Sequence, residues 1–599
     1  MLKGYMGKIL FVNLSDGTIN EEVIDEELCR DFLGGYGLGA RILFSRQKPK
    51  VDPLGPDNII GFVTGPLTGT PVPGGSRYVV VAKSPLTGGW GDANSGGDFG
   101  PYLKFAGYDA AFFAGVSEKP TYLVIQDGKA ELKDASHLWG KDTYETEEML
   151  QSDLGKDMRI ACIGPAGEAL SLISCIINNK GRAAGRSGLG AVMGSKKLKA
   201  VAVNGSLQVP LADKDKVDRL RKECLSNLKT NKQAERLRKS GTFAGTLGSL
   251  ALRGVPTKNW GGVGSRDFPK TEAADQELTM GEKKYGCWRC PIACGGHMKA
   301  GVQYPYASGV HKPEYETAAA FGTMCLNDSL DSIIMANDIC NRYGIDTISA
   351  GATIAFAIEC YENRLITKED TDGIELRWGD HKAIIAMTEK MAKRDSFGAI
   401  LADGSKLAAE RIRKGSEVYA MHIGGQEVPY HDPKTSPAFA CSYKIDATPA
   451  RHTQSGAASG IGEEQKQRNT FCQAYNSAGL CMWFNAILGN AIVSEFMTSV
   501  TGYPYSVEAM FEAGEKISNI RQAFTIREGI NPIEHKVPGR IIGIPPQTEG
   551  PATGITVDLD NRVNEYLKAM DWDLKTGKPS KQKLEQLGMA DVAAALHNT

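Results

Sequence analysis

Over the first ~208 residues the hydrophobic positions fall in short runs. Lys8–Leu14, Asn58–Thr64, Arg77–Ala82, Thr121–Gln126 and Lys199–Asn204 are apolar or β-branched segments separated by Gly-rich turns, the pattern of short strands. Val116–Asp134 reads as a hairpin around Gln126-Asp-Gly-Lys129. The period changes near Asp213, where a charged stretch with helical spacing runs to about Ser240 and predicts a solvated surface helix opening a new domain. Glu316 to Lys414 is helical in pattern with few Pro, and the small-residue run Ser349–Ala357 predicts close packing. Pro/Gly clusters between His422 and Pro437 mark a further boundary, and the rest is again largely helical, to the amphipathic tail Lys581–His597. No repeat of 20–50 residues is evident.

Composition narrows the class. A chain of 599 residues predicts several domains with ample core. Its 69 Lys+Arg nearly cancel 70 Asp+Glu, which argues against nucleic acid or an anionic membrane as partner. No apolar run of about 18 residues predicts a membrane span. Residues 1–8 carry no apolar signal core, so a cytoplasmic location is expected. Gly is concentrated in the first two hundred residues, where backbone must turn sharply or approach a ligand closely. Of 13 cysteines, Cys162, Cys175, Cys360 and Cys441 sit in apolar or small-residue settings and read as reduced core thiols.

The remaining chemistry gathers in a few segments. Cys287, Cys290 and Cys294 form a C-x2-C-x3-C run, and Cys481 lies far downstream. Four thiolates suit an iron–sulfur cluster. On spacing alone, a local zinc site of Cys287, Cys290, Cys294 and His297 stays open. Cys481 closes the hexapeptide Asn476-Ser-Ala-Gly-Leu-Cys481, which has a twin in Asn341-Arg-Tyr-Gly-Ile-Asp346. A cluster ligand closing one of two matched motifs implies a redox centre tied to a second cofactor between similar loops. Three Gly/Arg/Asn-rich stretches could supply backbone N–H groups and fixed cations for a phosphate-bearing cofactor: Gly74–Arg77, Trp90–Asp98 and Asn178–Gly190. Gly34-Gly-Tyr-Gly-Leu-Gly39 is not a dinucleotide fingerprint, because its first glycines are adjacent and no βαβ unit with a following acidic residue surrounds it.

In their order along the chain these motifs resemble the tungsten-containing aldehyde:ferredoxin oxidoreductase family. There, two D-x-x-G-L-[D/C] motifs hold the halves of a bis-pterin tungsten cofactor, and the second ends in the fourth cysteine of a [4Fe–4S] cluster. The resemblance implies an α+β multidomain fold: a β-rich cofactor-cradling domain over 1–208, then two mainly α-helical domains over 209–417 and 418–599. It implies cofactor contacts from Arg77, Asn94, Gly96, Arg182, Ala183, Gly185 and Arg186, with Asn94 and Ala183 also on a Mg2+ bridging the pterin phosphates. The twin motifs would add Asn341, Gly344, Ile345 and Asp346 from one side, and Asn476, Gly479, Leu480 and Met482 from the other. The family opens each motif with Asp; Asn341 and Asn476 depart from this and would leave the pterin edge less negative.

Lys312-Pro-Glu314-Tyr-Glu316-Thr317 resembles the family's P-E-Y-E-T stretch and implies Glu316 as the active-site carboxylate, with Glu314 in reserve. The family's active-site histidine is assigned to His452, with Arg451 a possible cofactor contact; His431 competes for the place. Trp288 and Trp483 neighbour cluster ligands and could shield them. Met335 stands where some relatives use Glu to bridge subunits through a metal, so that bridge is not expected. The implied activity is reversible oxidation of aldehydes to carboxylic acids, with electrons leaving through the cluster to ferredoxin or a ferredoxin-like subunit in an oligomer or hetero-complex. A low-potential aryl-CoA reductase of the same superfamily, with Cys325 as metal ligand, is the alternative. A zinc-stapled scaffold is the non-enzymatic reading.

Overall fold

The computed structural model describes residues 2–243, 255–264, 280–454 and 460–598. Twelve strands form two six-stranded sheets. The first contains β1 (Lys8–Asn13), β2 (Thr18–Val23), β3 (Ile60–Thr64), β4 (Tyr78–Lys83), β5 (Trp90–Ser95) and β6 (Ala110–Ala114). The second contains β7 (Thr121–Gln126), β8 (Lys129–Asp134), β9 (Arg159–Cys162), β10 (Ile176–Asn178), β11 (Arg182–Ala184) and β12 (Leu198–Asn204).

The strand orders are β2-β1-β6-β3-β4-β5 and β8-β7-β12-β9-β10-β11. The second sheet thus repeats the first strand for strand, including the single parallel pair, β1/β6 in one and β7/β12 in the other. Alternation along the strands sorts the side chains into layers. Leu10, Val12, Phe62 and Val80 meet Leu123, Ile125, Val201 and Val203 between the sheets. Ile9, Val63, Val79 and Val81 face the helices Gly35–Arg46 and Val507–Arg527 on one outer side. Tyr122, Val124, Ile160 and Ala202 face helix Thr143–Leu154 on the other.

The remaining described residues are mainly helical, with a small three-stranded sheet of Gly281–Tyr285, Gly295–Met298 and Val310–His311 and a two-stranded one of His422–Ile423 and Gln426–Glu427, an α+β architecture with a β-rich N-terminal part. The stretch Asp213–Ser240 is two helices, Lys214–Thr230 and Lys232–Ser240, because the Asn231 side chain accepts from Ala234 N–H and caps the second. Helix Thr347–Glu362 is buried nearly throughout, its small residues admitting helix Tyr315–Phe321; a Cβ on Gly351 would meet Ala320. The glycines of Gly34–Gly39 serve contact too. Gly35 opens a helix against Ser477, and Gly37 and Gly39 lie against Ile517 and Val81. None of the 13 cysteines forms a disulfide. Among the described residues no helix is long and apolar enough to cross a membrane.

Candidate active site

The repeated sheets explain why the sequence carries twin motifs. In each half the loop joining the third and fourth strands ends on a residue whose N–H donates to the motif glycine's carbonyl. Arg77 N–H donates to Gly479 O at 3.2 Å, and Cys175 N–H to Gly344 O at 2.8 Å. Cys481 N–H and Asp346 N–H donate back to Gly74 O and Ile173 O, and Ile345 bridges to Ser174. Gly344 and Gly479 sit at φ 72° and 82°, where a side chain is strained. Leu480 is buried beneath its loop, and Met482 opens the next helix at the cavity edge. The motif ends then diverge. Asp346 caps helix Thr347–Glu362, accepting from Ile348 N–H and Ser349 N–H, and pairs with Arg186 at 3.2 Å. Cys481 precedes helix Met482–Leu488 with its thiol free.

The fifth strand of each half, β5 and β11, supplies Asn94, Arg182 and Ala183 to one cavity of about 1440 Å³. Asn94 Nδ2 donates to Asn476 Oδ1 at 3.2 Å, and Asn476 Nδ2 to Cys472 O at 2.8 Å. Asn94 Oδ1 is buried with no partner. Arg182 donates from Nη1 to Glu314 at 3.2 Å and lies over Tyr285, while its Nε and Nη2 are buried and unpartnered. Such orphaned groups are costly and point to a polar ligand. Arg77, Gly96, Gly185 and Asn341 line the same space. A Cβ on Gly96 would stand 2.8 Å from both Arg77 Nη1 and Cys287 Sγ, whereas one on Gly185 would meet only Ala183 at 3.8 Å.

Two expected cofactor contacts are occupied by the chain. Arg186 donates to Asp346, Ala450 O and Glu427 O. Arg451 donates to Asp92 O at 2.8 Å and to Thr453. Asp92, wholly buried on β5, gathers Trp90, Thr448, Gln454 and Arg521 as well. Burial alone would raise the Asp92 carboxyl, but Arg521 and Arg451 hold it below its ordinary value. The sequence carried no local signal for this network, which joins strand to loop across more than 350 residues.

Cys287, Cys290, Cys294 and Cys481 are half-buried on the cavity wall. Burial, then the neighbouring thiols, push Cys290 up to about 12. Zinc at about 2.3 Å would draw thiolates to about 3.8 Å of one another. Among the described residues no trio of these cysteines and His297 has its ligand atoms within 4.8 Å. His297 Nδ1 instead meets Gly309 O at 2.6 Å. These side chains do not stand drawn together as around a bound zinc. Trp288 packs on Phe105, and Trp483 lines the cavity.

At another part of the wall Glu316 meets two histidines. His431 Nε2 lies 3.3 Å and His452 Nε2 3.8 Å from Glu316 Oε1. Glu316 Oε2 accepts Tyr430 N–H at 3.0 Å. Burial pushes the Glu316 carboxyl up to about 8 and His431 down to about 4; burial and the charges of His431, Arg451 and Arg186 push His452 well down. At neutral pH Glu316 is protonated and both imidazoles are neutral. The two histidines, read as rivals in the sequence, are both present. The Pro429-Tyr-His-Asp432 segment holding His431 was masked as a signal by its Pro/Gly-rich, boundary-like surroundings. Glu314 is not a substitute for Glu316, being bound by Arg182 and Thr242. Cys325 is buried among helices, its Sγ directed to Ala320 O and Gly351 O, and it does not line the cavity.

Comparison with known proteins bears on what this cavity holds. Residues 9–205 match the model described as "Aldehyde ferredoxin oxidoreductase, N-terminal domain", and 219–589 the model for its "domains 2 & 3". The chain belongs to the aldehyde ferredoxin oxidoreductase family. Family relatives described as tungsten-containing aldehyde ferredoxin oxidoreductases from Pyrococcus abyssi and Thermococcus kodakarensis are 38% and 37% identical, each alignment covering 98% of this chain and 99% of the relative. A Pyrococcus furiosus protein described as "Aliphatic sulfonate oxidoreductase, WOR-like subunit" is 30% identical over 98% of this chain and 97% of its own. The active-site complex BamBC of benzoyl coenzyme A reductase shares the family fold, with a TM-score of 0.83 at 24% identity over 99% of this chain and 98% of that one.

Proposed function

We propose that this protein is a tungsten-pterin oxidoreductase that interconverts aldehydes and carboxylic acids and delivers electrons singly to a ferredoxin-like acceptor in the cytoplasm. One observation carries the reading. A buried acid–base group, four unbridged thiols and the orphaned Asn94 and Arg182 atoms line a single cavity, in a chain 38% identical to tungsten-containing relatives.

The residues present fit the cofactors that the family implies. Cys287, Cys290, Cys294 and Cys481 would hold a [4Fe–4S] cluster. Asn94 Oδ1 and the Ala183 backbone would meet a Mg2+ between the pterin phosphates. Arg77, Gly96, Arg182, Gly185 and the two motif loops would bracket the pterins, while Arg186, Arg451 and Asp346 hold the walls. Bound there, the tungsten-pterin group would supply two-electron oxidation and the cluster a one-electron relay. An aldehyde and water give a carboxylic acid, two protons and two electrons. Glu316 lines the cavity and, protonated at rest, can donate a proton to a substrate oxygen and, once ionised, accept one. His452, neutral and fixed at the head of the cavity, orients the oxygen. The aryl-CoA reductase reading is disfavoured by Cys325, whose thiol lies outside the cavity.

The test is anaerobic turnover of tungstate-grown protein with a viologen dye. The reading expects simple aldehydes to reduce oxidised viologen and aryl-CoA esters to leave reduced viologen unoxidised. Inert aldehydes with active thioesters would overturn it.

A further inference from the structure

We infer that His431 is the proton relay that empties Glu316 during turnover, a role resting on the aldehyde-oxidising reading above. Each oxidation releases two protons with its two electrons, and the electrons have an exit past the cysteines. Glu316 has no comparable exit of its own: its side chain is only 13% exposed, and Oε2 is held by Tyr430. Oε1 is buried and makes no hydrogen bond, with His431 Nε2 at 3.3 Å and His452 Nε2 at 3.8 Å.

The histidines differ in what lies behind them. His452 is 18% exposed, and its Nδ1 is sealed in protein without a partner. Neighbouring Arg451 and Arg186 further oppose a positive charge on it. His431 is nearer to Glu316, is 37% exposed, and neither of its ring nitrogens is a buried orphan. Its ring is held between Tyr315 and Phe439, with centroids at 4.8 and 5.4 Å. Its carbonyl accepts from Tyr443 Oη, and the carbonyl of Tyr430 accepts from Tyr315 Oη. The ring is therefore fixed with one edge on Glu316 and the other towards open cavity. The groups facing it are Glu316 and Tyr315 from one helix, Tyr443 from another, and His452 from its loop. Asp432, on its own segment, is locked to Lys434 at 2.9 Å.

The step balances without a further reagent. The Glu316 O–H bond breaks as His431 gains the proton at Nε2. The imidazolium then loses the Nδ1 proton to water or buffer, and the ring returns to its first tautomer by solvent exchange. Moving a proton from a group near 8 to one near 4 costs a factor of about 10⁴.

The experiment compares wild type with His431→Gln and His431→Asn, all carrying metal. A single anaerobic pulse of aldehyde should reduce the enzyme's chromophore at a rate within about threefold of wild type, because Glu316, ionised once it has given its own proton to the substrate oxygen, can take back one proton without His431. Steady-state turnover should fall about 100-fold. Added imidazoles should restore it, increasingly so with buffer concentration and with the base strength of the imidazole used. Tungsten and iron content should not change. The relay is overturned if both variants turn over normally, if single-pulse reduction falls as far as turnover, or if no buffer rescues. It is also overturned if wild type holds one extra divalent ion per chain that both variants lose, since Glu316, His431 and His452 could ligate one. A wild type that reduces its chromophore with no aldehyde overturns the parent reading, and the relay with it.

Discussion

Glu316→Gln separates two consequences of burying one carboxyl. Burial lifts Glu316 from 4.5 to about 8. The folded chain therefore binds a proton that the unfolded chain has released, and stability is full below pH 4.5 and is lost as pH rises through about 8. The cost is about 3 kcal/mol at pH 7 and approaches about 5 kcal/mol above pH 9. Glutamine cannot ionise, yet its side-chain oxygen can still accept Tyr430 N–H. With an unfolding entropy of about 1.3 kcal/mol per kelvin for this length, the tungsten-free variant should melt about 2–3 °C above wild type at pH 7. The gap should be about 4 °C at pH 9 and absent at pH 4.5. The metal-loaded variant should lose 10²- to 10⁴-fold in aldehyde turnover with tungsten retained. Calorimetry across pH, paired with viologen assays, measures both. Parallel melting curves from pH 4.5 to 9 would refute the buried-proton argument, and full turnover would refute the catalytic one.

Four further outcomes follow from the same geometry. Cys481→Ser should strip iron and visible absorption although the three clustered cysteines remain, as shown by metal analysis of the purified variant. Asp92→Ala leaves Arg521 and Arg451 buried without their anion and should cost about 3–5 kcal/mol in denaturant unfolding; Asp92→Asn should cost less. Gly479→Ala combines a φ of 82° with a collision at Thr68 and should destabilise by about 1–3 kcal/mol. Gly185→Ala, with room for its Cβ, should fold normally and retain less tungsten.

The strands with β-branched runs were legible in the sequence almost to the residue: Thr121–Gln126 is β7, and Arg77–Ala82 is offset from β4 by one position. Trp90–Asp98 was read as a polar, Gly-rich cofactor stretch, yet Trp90–Ser95 is β5, because Asp92 and Asn94 Nδ2 find partners on distant loops and helices, while Asn94 Oδ1 stays unpartnered. The doubling of the sheet was illegible for a similar reason. Its two copies share strand order and loop docking but no side-chain pattern, so only hydrogen bonds such as Arg77 to Gly479 and Cys175 to Gly344 expose it.

At the site, the sequence named the residue types and the fold sorted their uses. Arg186, Arg451 and Asp346 carry charges that suit a phosphate or pterin, but each finds a partner within the chain. Arg182 and Asn94 are only partly satisfied: Arg182 Nε and Nη2 and Asn94 Oδ1 are buried without partners, and burial alone distinguishes them. His431 and His452 lie 21 residues apart in segments without periodicity, so nothing local says that both reach Glu316.

The central claim is that the cysteines, the twin loops and the Glu316 end of the cavity serve one tungsten-pterin and iron–sulfur centre. Elemental analysis of anaerobically purified protein, read with its visible spectrum, tests it most directly. The account predicts about one tungsten and four irons per chain and a brown protein that bleaches on reduction. A colourless protein carrying zinc alone would contradict it.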